Sequence, residues 1–172
     1  MTMADDWDFN YAGKTISHID GKLSYDGGIA SLVNAAKHYN ANTLVYTDET
    51  TDINNATAND VLLPPTQVVA VGDIIYLGGG TKFGAIRLNV GTAGVYSGIT
   101  LQWQYWNGVW VALPGITDGT SFFTVGGINN ITFTPPADWA LTTIQTFSRY
   151  WIRAIATTAP TVITTAPLGT QG

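Results

Sequence analysis

The stretch Ile99-Thr100-Leu101-Gln102-Trp103-Gln104-Tyr105-Trp106, then Asn107-Gly108, then Val109-Trp110-Val111-Ala112-Leu113 constrains the fold more than any other part of the chain. Two β-prone runs flank Asn-Gly, whose positions tolerate the positive φ of a type I′ turn, and the twist of that turn suits paired strands. With Asn107 and Gly108 as the turn, Trp106 should face Val109, Tyr105 should face Trp110 and Trp103 should face Ala112. One face would then carry Leu101, Trp103, Tyr105, Trp110 and Ala112, and the other Gln102, Gln104, Trp106, Val109 and Val111. Cross-strand aromatic pairs each add roughly 0.2–1 kcal/mol, so this hairpin should anchor a β fold.

Further short strands surround it. Residues 68–71 and 73–77 are β-branched runs ahead of a Gly78-Gly79-Gly80 break. Residues 83–90 alternate, with Ile86, Leu88 and Val90 on one side and Ala85, Arg87 and Asn89 on the other. Residues 121–125 lie between Asp118-Gly119 and Gly126-Gly127. Ile131 and Phe133 alternate with threonines until Pro135-Pro136, and 150–155 closes the series. Short strands without intervening helical crossovers predict a mainly β chain, an antiparallel β-sandwich or jelly-roll.

The first third differs. Asp20-Gly21 between two alternating runs predicts a hairpin over 14–25. Ile29, Leu32, Val33 and Ala36 fall at i, i+3, i+4 and i+7, which predicts a short helix over 29–39. The expected organisation is an N-terminal arm or subdomain over 1–65, a sandwich over 66–156, and an extended tail over 157–172 lying along this protomer or a neighbour.

Charge narrows the partners. The 172 residues are 45% hydrophobic but only 11% charged, well under the roughly one quarter usual for soluble proteins. That suggests either a Thr-rich exterior or a protomer that hides surface against neighbours. Net charge is −5, and the seven cations are Arg87, Arg149, Arg153 and the single Lys14, Lys22, Lys37 and Lys82. No cluster could displace counterions from phosphates, so neither nucleic acid nor an anionic membrane is an expected partner. The chain has no cysteine, which removes disulfides and cysteine-ligated metals. The acidic opening residues and the lack of an eighteen-residue apolar run predict a soluble product of a cytoplasm.

Chemistry-bearing groups are sparse. His18, in a predicted strand, and His38, at the polar end of the predicted helix, are the only candidate bases for nucleophilic catalysis, and no Gly-x-Ser-x-Gly elbow occurs. Asp73, Asp118 and Asp138 could supply a glycosidase pair, but each sits where an Asp organises a turn. Asp48, Thr50, Asp52 and Asn54 alternate like calcium-loop ligands, yet Ile53 and Asn59 replace the required Gly and Glu, which favours a solvated acidic loop. Gly78-Gly79-Gly80-Thr81-Lys82 lacks the order and the following helix of a phosphate loop. The expectation is no catalytic residue, metal or cofactor. Trp106, and Trp151 beside Arg149 and Arg153, fall opposite their apolar neighbours, where aromatics anchor protein interfaces or stack on sugars.

Three stretches together resemble a module of bacteriophage virion proteins. Residues 101–113 resemble its W-x-Y-W-N-G-x-W-x-x-L hairpin. The segment Phe133-Thr134-Pro135-Pro136-Ala137-Asp138-Trp139 is similar to its F-x-x-P-x-D-W segment. Arg149-Tyr150-Trp151-Ile152-Arg153-Ala154 looks like its closing Y-W-I-R-A-R strand, with Ile155 where a second arginine often sits. Residues 9–18 also resemble the opening of some phage structural proteins. The resemblance spans roughly 73–156 and implies a non-enzymatic β-sandwich of a tailed-phage particle, assembled in the host cytoplasm. Head and tail or baseplate proteins both carry such modules. A capsid decoration (cement) protein, bound to the major capsid protein and to copies of itself, suits the arm and tail. A tail or baseplate protein, or a carbohydrate-binding module, is the alternative. The candidate interface residues are Trp7, Phe9, Tyr11, Trp106, Trp151, Pro167 and Leu168.

Overall fold

The computed structural model describes residues 33–66 and 71–170, together with the backbone alone of 7–11, 14–19, 22–25 and 171. The chain divides into two units, Met1–Ser31 and Leu32–Gly172. In the first, β1 (Trp7–Tyr11), β2 (Lys14–Ile19) and β3 (Lys22–Tyr25) form an antiparallel sheet in the order β1-β2-β3. Ile19 pairs with Lys22, so two residues connect β2 and β3, as predicted.

The second unit contains β4 (Ala35–Asn40), β5 (Val45–Asp48), a 3-10 turn (Asp52–Asn54), β6 (Val61–Leu62), β7 (Ile74–Gly79), β8 (Ala85–Thr92) and β9 (Val95–Ser97). It continues with β10 (Leu101–Trp106), β11 (Trp110–Ala112), β12 (Thr117–Asp118), β13 (Gly127–Thr132) and β14 (Leu141–Ile144). The last strands are β15 (Phe147–Ala156), β16 (Val162–Thr165) and β17 (Leu168–Gln171). A seven-stranded sheet runs β11-β10-β15-β7-β4-β5, with β14 also on β15. A five-stranded sheet runs β12-β13-β8-β17-β6, and β16 pairs with β9.

The two larger sheets share one core. Leu77, Trp103, Tyr105 and Ile152 from the first meet Ile86, Leu88, Val90 and Ile131 from the second. The fold is therefore mainly β, an antiparallel sandwich. In β8 the buried positions are Ile86, Leu88 and Val90, the alternation expected of a strand with one wet face.

Five expectations are corrected. Residues 35–40 are strand rather than helix, and 29–32 of the predicted helix lie outside the described residues. Ala35, Ala36, Lys37 and His38 are all buried, and a strand covered on both faces shows no period of two to betray it. The boundary expected at residue 65 falls after Ser31, because β4, β5 and β6 belong to the sandwich. The tail over 157–172 is likewise part of it: β17 lies between β8 and β6, and Gly169 allows Val61 close by, since an added Cβ would meet the Val61 Cβ at 3.1 Å. Residues 121–125 are no strand but a left-handed turn, with Ser121, Phe122 and Phe123 at φ 47°, 52° and 68°. Each such residue costs roughly 1–2 kcal/mol. Asp118 braces the turn: its carboxylate accepts hydrogen bonds from Thr120 N (2.9 Å), Thr120 Oγ1 (2.6 Å), Phe122 N (3.0 Å) and Trp103 Nε1 (2.9 Å).

The fifth correction concerns the aromatic hairpin, which is shifted by one residue. Trp106 pairs with Trp110, Tyr105 with Val111 and Gln104 with Ala112, leaving Asn107, Gly108 and Val109 as a three-residue loop. Asn107 Nδ2 is held by Asp138 Oδ2 at 2.8 Å, and Asn107 N donates to Val109 O at 3.1 Å, while Gly108 takes φ 111°. A slip of one residue exchanges faces. Val111 now packs against the core and Trp110 joins Trp106 outside.

The Gly78-Gly79-Gly80 run is not simply a break, because β7 includes Gly78 and Gly79. Gly78 pairs with Trp151, and a Cβ at Gly78 would lie 2.7 Å from the indole. Gly78→Ala should therefore destabilise the sandwich by about 1–3 kcal/mol through overpacking. In chemical denaturation the loss should shrink sharply in a Trp151→Leu background, since the two changes act on one contact.

Candidate interaction surface

Antiparallel register places Asp48, Lys37, Tyr76, Arg153, Gln104 and Ala112 in one straight row across the seven-stranded sheet, on the side away from the sandwich core. The neighbouring row holds Tyr46, Tyr39, Ile74, Ile155 and Gln102. Aromatic rings link across strands: Tyr39 to Tyr46 at 4.7 Å, Tyr46 to Tyr76 at 6.1 Å, Tyr76 to Trp110 at 5.7 Å and Trp110 to Trp106 at 5.4 Å between centroids.

Two cations sit within this band. The Arg153 guanidinium lies 4.2 Å from the centroid of Trp110, and Gln104 Oε1 accepts from its Nε at 2.9 Å and its Nη2 at 2.6 Å. Gln104 Nε2 donates in turn to Gln102 Oε1 at 2.7 Å. Burial pushes the Tyr76 hydroxyl up to about 12, with Tyr46 adding to the rise and Arg153 opposing it. Lys37 is buried, pairs with Asp48 Oδ2 at 2.5 Å and lies 4.3 Å from the centroid of Phe147. At the end of the sheet near Trp106, Val109 and Leu141 are 61% and 52% exposed. Leu141 follows Ala140, whose N–H donates to Trp106 O at 2.9 Å.

Of the residues singled out from sequence, Trp106 lies on this face and is half-buried. Trp151 does not belong to any free surface. It is 0% exposed, and its Nε1 donates to Thr142 O at 3.1 Å and Phe147 O at 3.3 Å beneath the β14–β15 turn. Pro167 is buried and Leu168 half-buried, paired with Leu62 and Thr92, so neither is part of a loose arm. The side chains of Trp7, Phe9, Tyr11 and His18 lie outside the described residues. Sequence reasoning missed Trp110, which the one-residue slip brings outward, and the tyrosines of β4, β5 and β7.

The acidic candidates do not converge. Asp118 is committed to its turn, as above. Asp138 Oδ1 accepts the Tyr105 hydroxyl at 3.0 Å and Oδ2 accepts Asn107, and these bonds hold its carboxyl below the ordinary value. The calcium-like series is also engaged. Asp48 Oδ1 accepts Thr50 N at 3.0 Å, Thr50 Oγ1 bonds Ala36 O at 3.2 Å, and Asn54 Nδ2 donates to Val33 O and Thr50 O. Lys82 Nζ donates to Pro136 O at 3.2 Å and Ala137 O at 2.7 Å.

His38, expected at a helix end, is instead 1% exposed on the inner side of β4, beside Asp73 and near Glu49, both also buried. Burial pushes the Asp73 carboxyl up, but the His38 ring and Thr66 outweigh it and the net direction is down. Burial raises Glu49, whose Oε2 accepts Leu62 N at 3.1 Å. No protein-family model matches the chain, and no curated protein matches it.

These two carboxylates set opposite limbs of an acid profile. Glu49, raised in the fold, withholds stability while ionised and returns it as pH falls through its folded value toward 4.5. Asp73, lowered in the fold, contributes above 3.8 and loses its contribution as pH falls through its folded value. Melting temperature scanned from neutral to strongly acid pH should therefore rise and then fall. Glu49→Gln should flatten the rise, and Asp73→Asn should make the fall shallower, the rest of it coming from Asp48 and Asp138, whose carboxyls are also held low.

Proposed function

We propose that the chain is a non-enzymatic structural component of a tailed-bacteriophage particle, a capsid decoration protein that binds the major capsid protein as one of many copies. The observation that carries the reading is how the three stretches resembling virion proteins lock together. The Tyr105 hydroxyl and Asn107 of the first stretch bind Asp138 of the second. Trp139 Nε1 of the second donates to Trp151 O of the third at 3.1 Å. Arg153 of the third grips Gln104 of the first. The residues that make the pattern recognisable bond to one another, which supports an architectural role for them.

Such a body needs only a face to bind with. The Trp106 and Trp110 pair, beside the exposed Val109, is the part of the outer sheet best suited to anchoring. Tryptophans in partly desolvated patches dominate binding energies, and apolar burial at about 25 cal/mol per Å² stabilises a shell without chemistry. Repetition over many sites multiplies a modest affinity.

Cryogenic imaging of intact particles tests the assignment. Density for the sandwich at regular positions on the head supports it. Density at the tail or baseplate replaces it with the tail reading, and absence from the particle overturns both. In a binding assay with particles stripped of the protein, a Trp106→Ala, Trp110→Ala double variant should bind at least about tenfold more weakly, with the sandwich's melting transition still cooperative.

A further inference from the structure

β5 ends the seven-stranded sheet opposite β11 and pairs with β4 alone. Glu49 N donates to Ala36 O at 3.0 Å, which fixes the phase of the β4–β5 ladder. Antiparallel pairs alternate between hydrogen-bonded and non-hydrogen-bonded, so the backbones of Val45 and Thr47 face β4, opposite Asn40 and His38. The N–H and C=O groups of Tyr46 and Asp48 face the other way, to a side where no strand lies among the described residues. Val45, Thr47 and Asp48 are exposed, so this edge is open to solvent.

Exposed edges are ordinarily blunted by brevity, proline, lysine or a bulge. The other strands ending the two large sheets are shorter: β11 has three residues, and β12 and β6 have two each. β5 has four, Val45-Tyr46-Thr47-Asp48, without proline or lysine and with an unbroken register against β4. Its one charge, Asp48, is already paired with Lys37 at 2.5 Å, so it repels a neighbour less than a bare carboxylate would. Leu44, just before the strand, and Val45 within it are 71% and 54% exposed.

What such an edge accepts is another extended strand, and β5 itself fits. In an antiparallel pairing about a two-fold axis at Tyr46, the outward N–H and C=O of Tyr46 exchange hydrogen bonds with those of Tyr46 of the second copy. Val45 then falls opposite Thr47 of that copy, and Leu44 opposite Asp48. No like charges meet, whereas an axis at Asp48 would set two carboxylates side by side, which destabilises a sheet. The same register carries the row Gln102, Ile155, Ile74, Tyr39 and Tyr46 straight across the junction, a continuity that an axis at Thr47 would break. Aromatic pairs opposed across strands add to the stability of the join. We propose that two copies of this chain join β5 to β5 and extend the seven-stranded sheet of one into the other. The inference concerns the sheet edge alone and does not rest on the assignment to a phage particle. A contact of one short strand is small, so the free protein should dimerise in a concentration-dependent way.

Sedimentation of the full chain from micromolar to near-millimolar concentration tests this, and the expected result is a saturable monomer–dimer equilibrium. In hydrogen exchange, the Tyr46 and Asp48 amides should gain protection as the dimer fills. Those of Val45 and Thr47, already bonded to β4, should not change. Val45→Lys combined with Thr47→Lys sets ammonium groups opposite each other across the junction. It should weaken the dimer at least about tenfold, and the dilute protein should keep its melting temperature because both positions are exposed. Val45→Glu combined with Thr47→Glu should do the same, and an equimolar mixture of the two double variants should dimerise again. A monomer at every concentration, or an oligomer whose Tyr46 and Asp48 amides exchange at the dilute rate, overturns the proposal. So does a lysine double variant that dimerises like the parent, or a mixture that stays monomeric.

Discussion

The indole of Trp151 lies over Gly78 on the neighbouring strand, and the outer side of the larger sheet is arranged around that contact. With no Cβ on β7, the ring settles against the sheet and its Nε1 reaches the carbonyls of Thr142 and Phe147. Those bonds fold β14 back on β15. The approach to β14 then supplies the Ala140 N–H to Trp106 O and fixes the end of β10. Because one strand, β15, pairs with β7, β10 and β14, its register is imposed on all of them. Lys37, Tyr76, Arg153 and Gln104 line up across four strands as a result.

How far the sequence reveals this depends on how local each determinant is. β8 and β10 alternate cleanly because each has one buried and one wetter face, and their inward residues are legible from the letters alone. β4 is not legible, since burial on both sides erases the alternation and leaves a spacing that a helix also satisfies. The slip at Asn107 is set by Asp138, thirty-one residues away, and it reverses the assignment of Trp110 and Val111. Three consecutive non-glycine residues in the left-handed region at 121–123 have no sequence signature. They follow from the four hydrogen bonds gathered by Asp118. The pairing of Gly169 with Val61 joins the last strand to β6 across the second unit, and no local pattern announces it. The candidate face was legible only at Trp106, since Trp151 reads as outward in alternation and is hidden by its glycine partner.

The scarcity of charge becomes intelligible from how the carboxylates are used. Trp103 and Tyr105 stand two residues apart on one strand, and each donates to a later aspartate, Asp118 at the end of β12 and Asp138 before β14. A carboxylate accepts several hydrogen bonds at once, so one side chain can collect a loop's amides and a core aromatic together. Asp118 is half-buried and Asp138 exposed, so each carboxylate serves the fold from the margin of the core. A surface with few charges has little to desolvate when a neighbour arrives, and desolvation is the term that most often cancels the gain from interfacial ion pairs.

Arg153 solves the remaining difficulty of such a face. Tyr76, Ile74 and Trp151 are buried on this side of the sheet, where a cation would ordinarily resist burial. The guanidinium lies against Trp110, donates two hydrogen bonds to Gln104 and stands beside Tyr76, so its plane and two of its donors are engaged within the fold. A lysine here could not do the same, because an ammonium has neither the fork nor the flat surface that meets the ring.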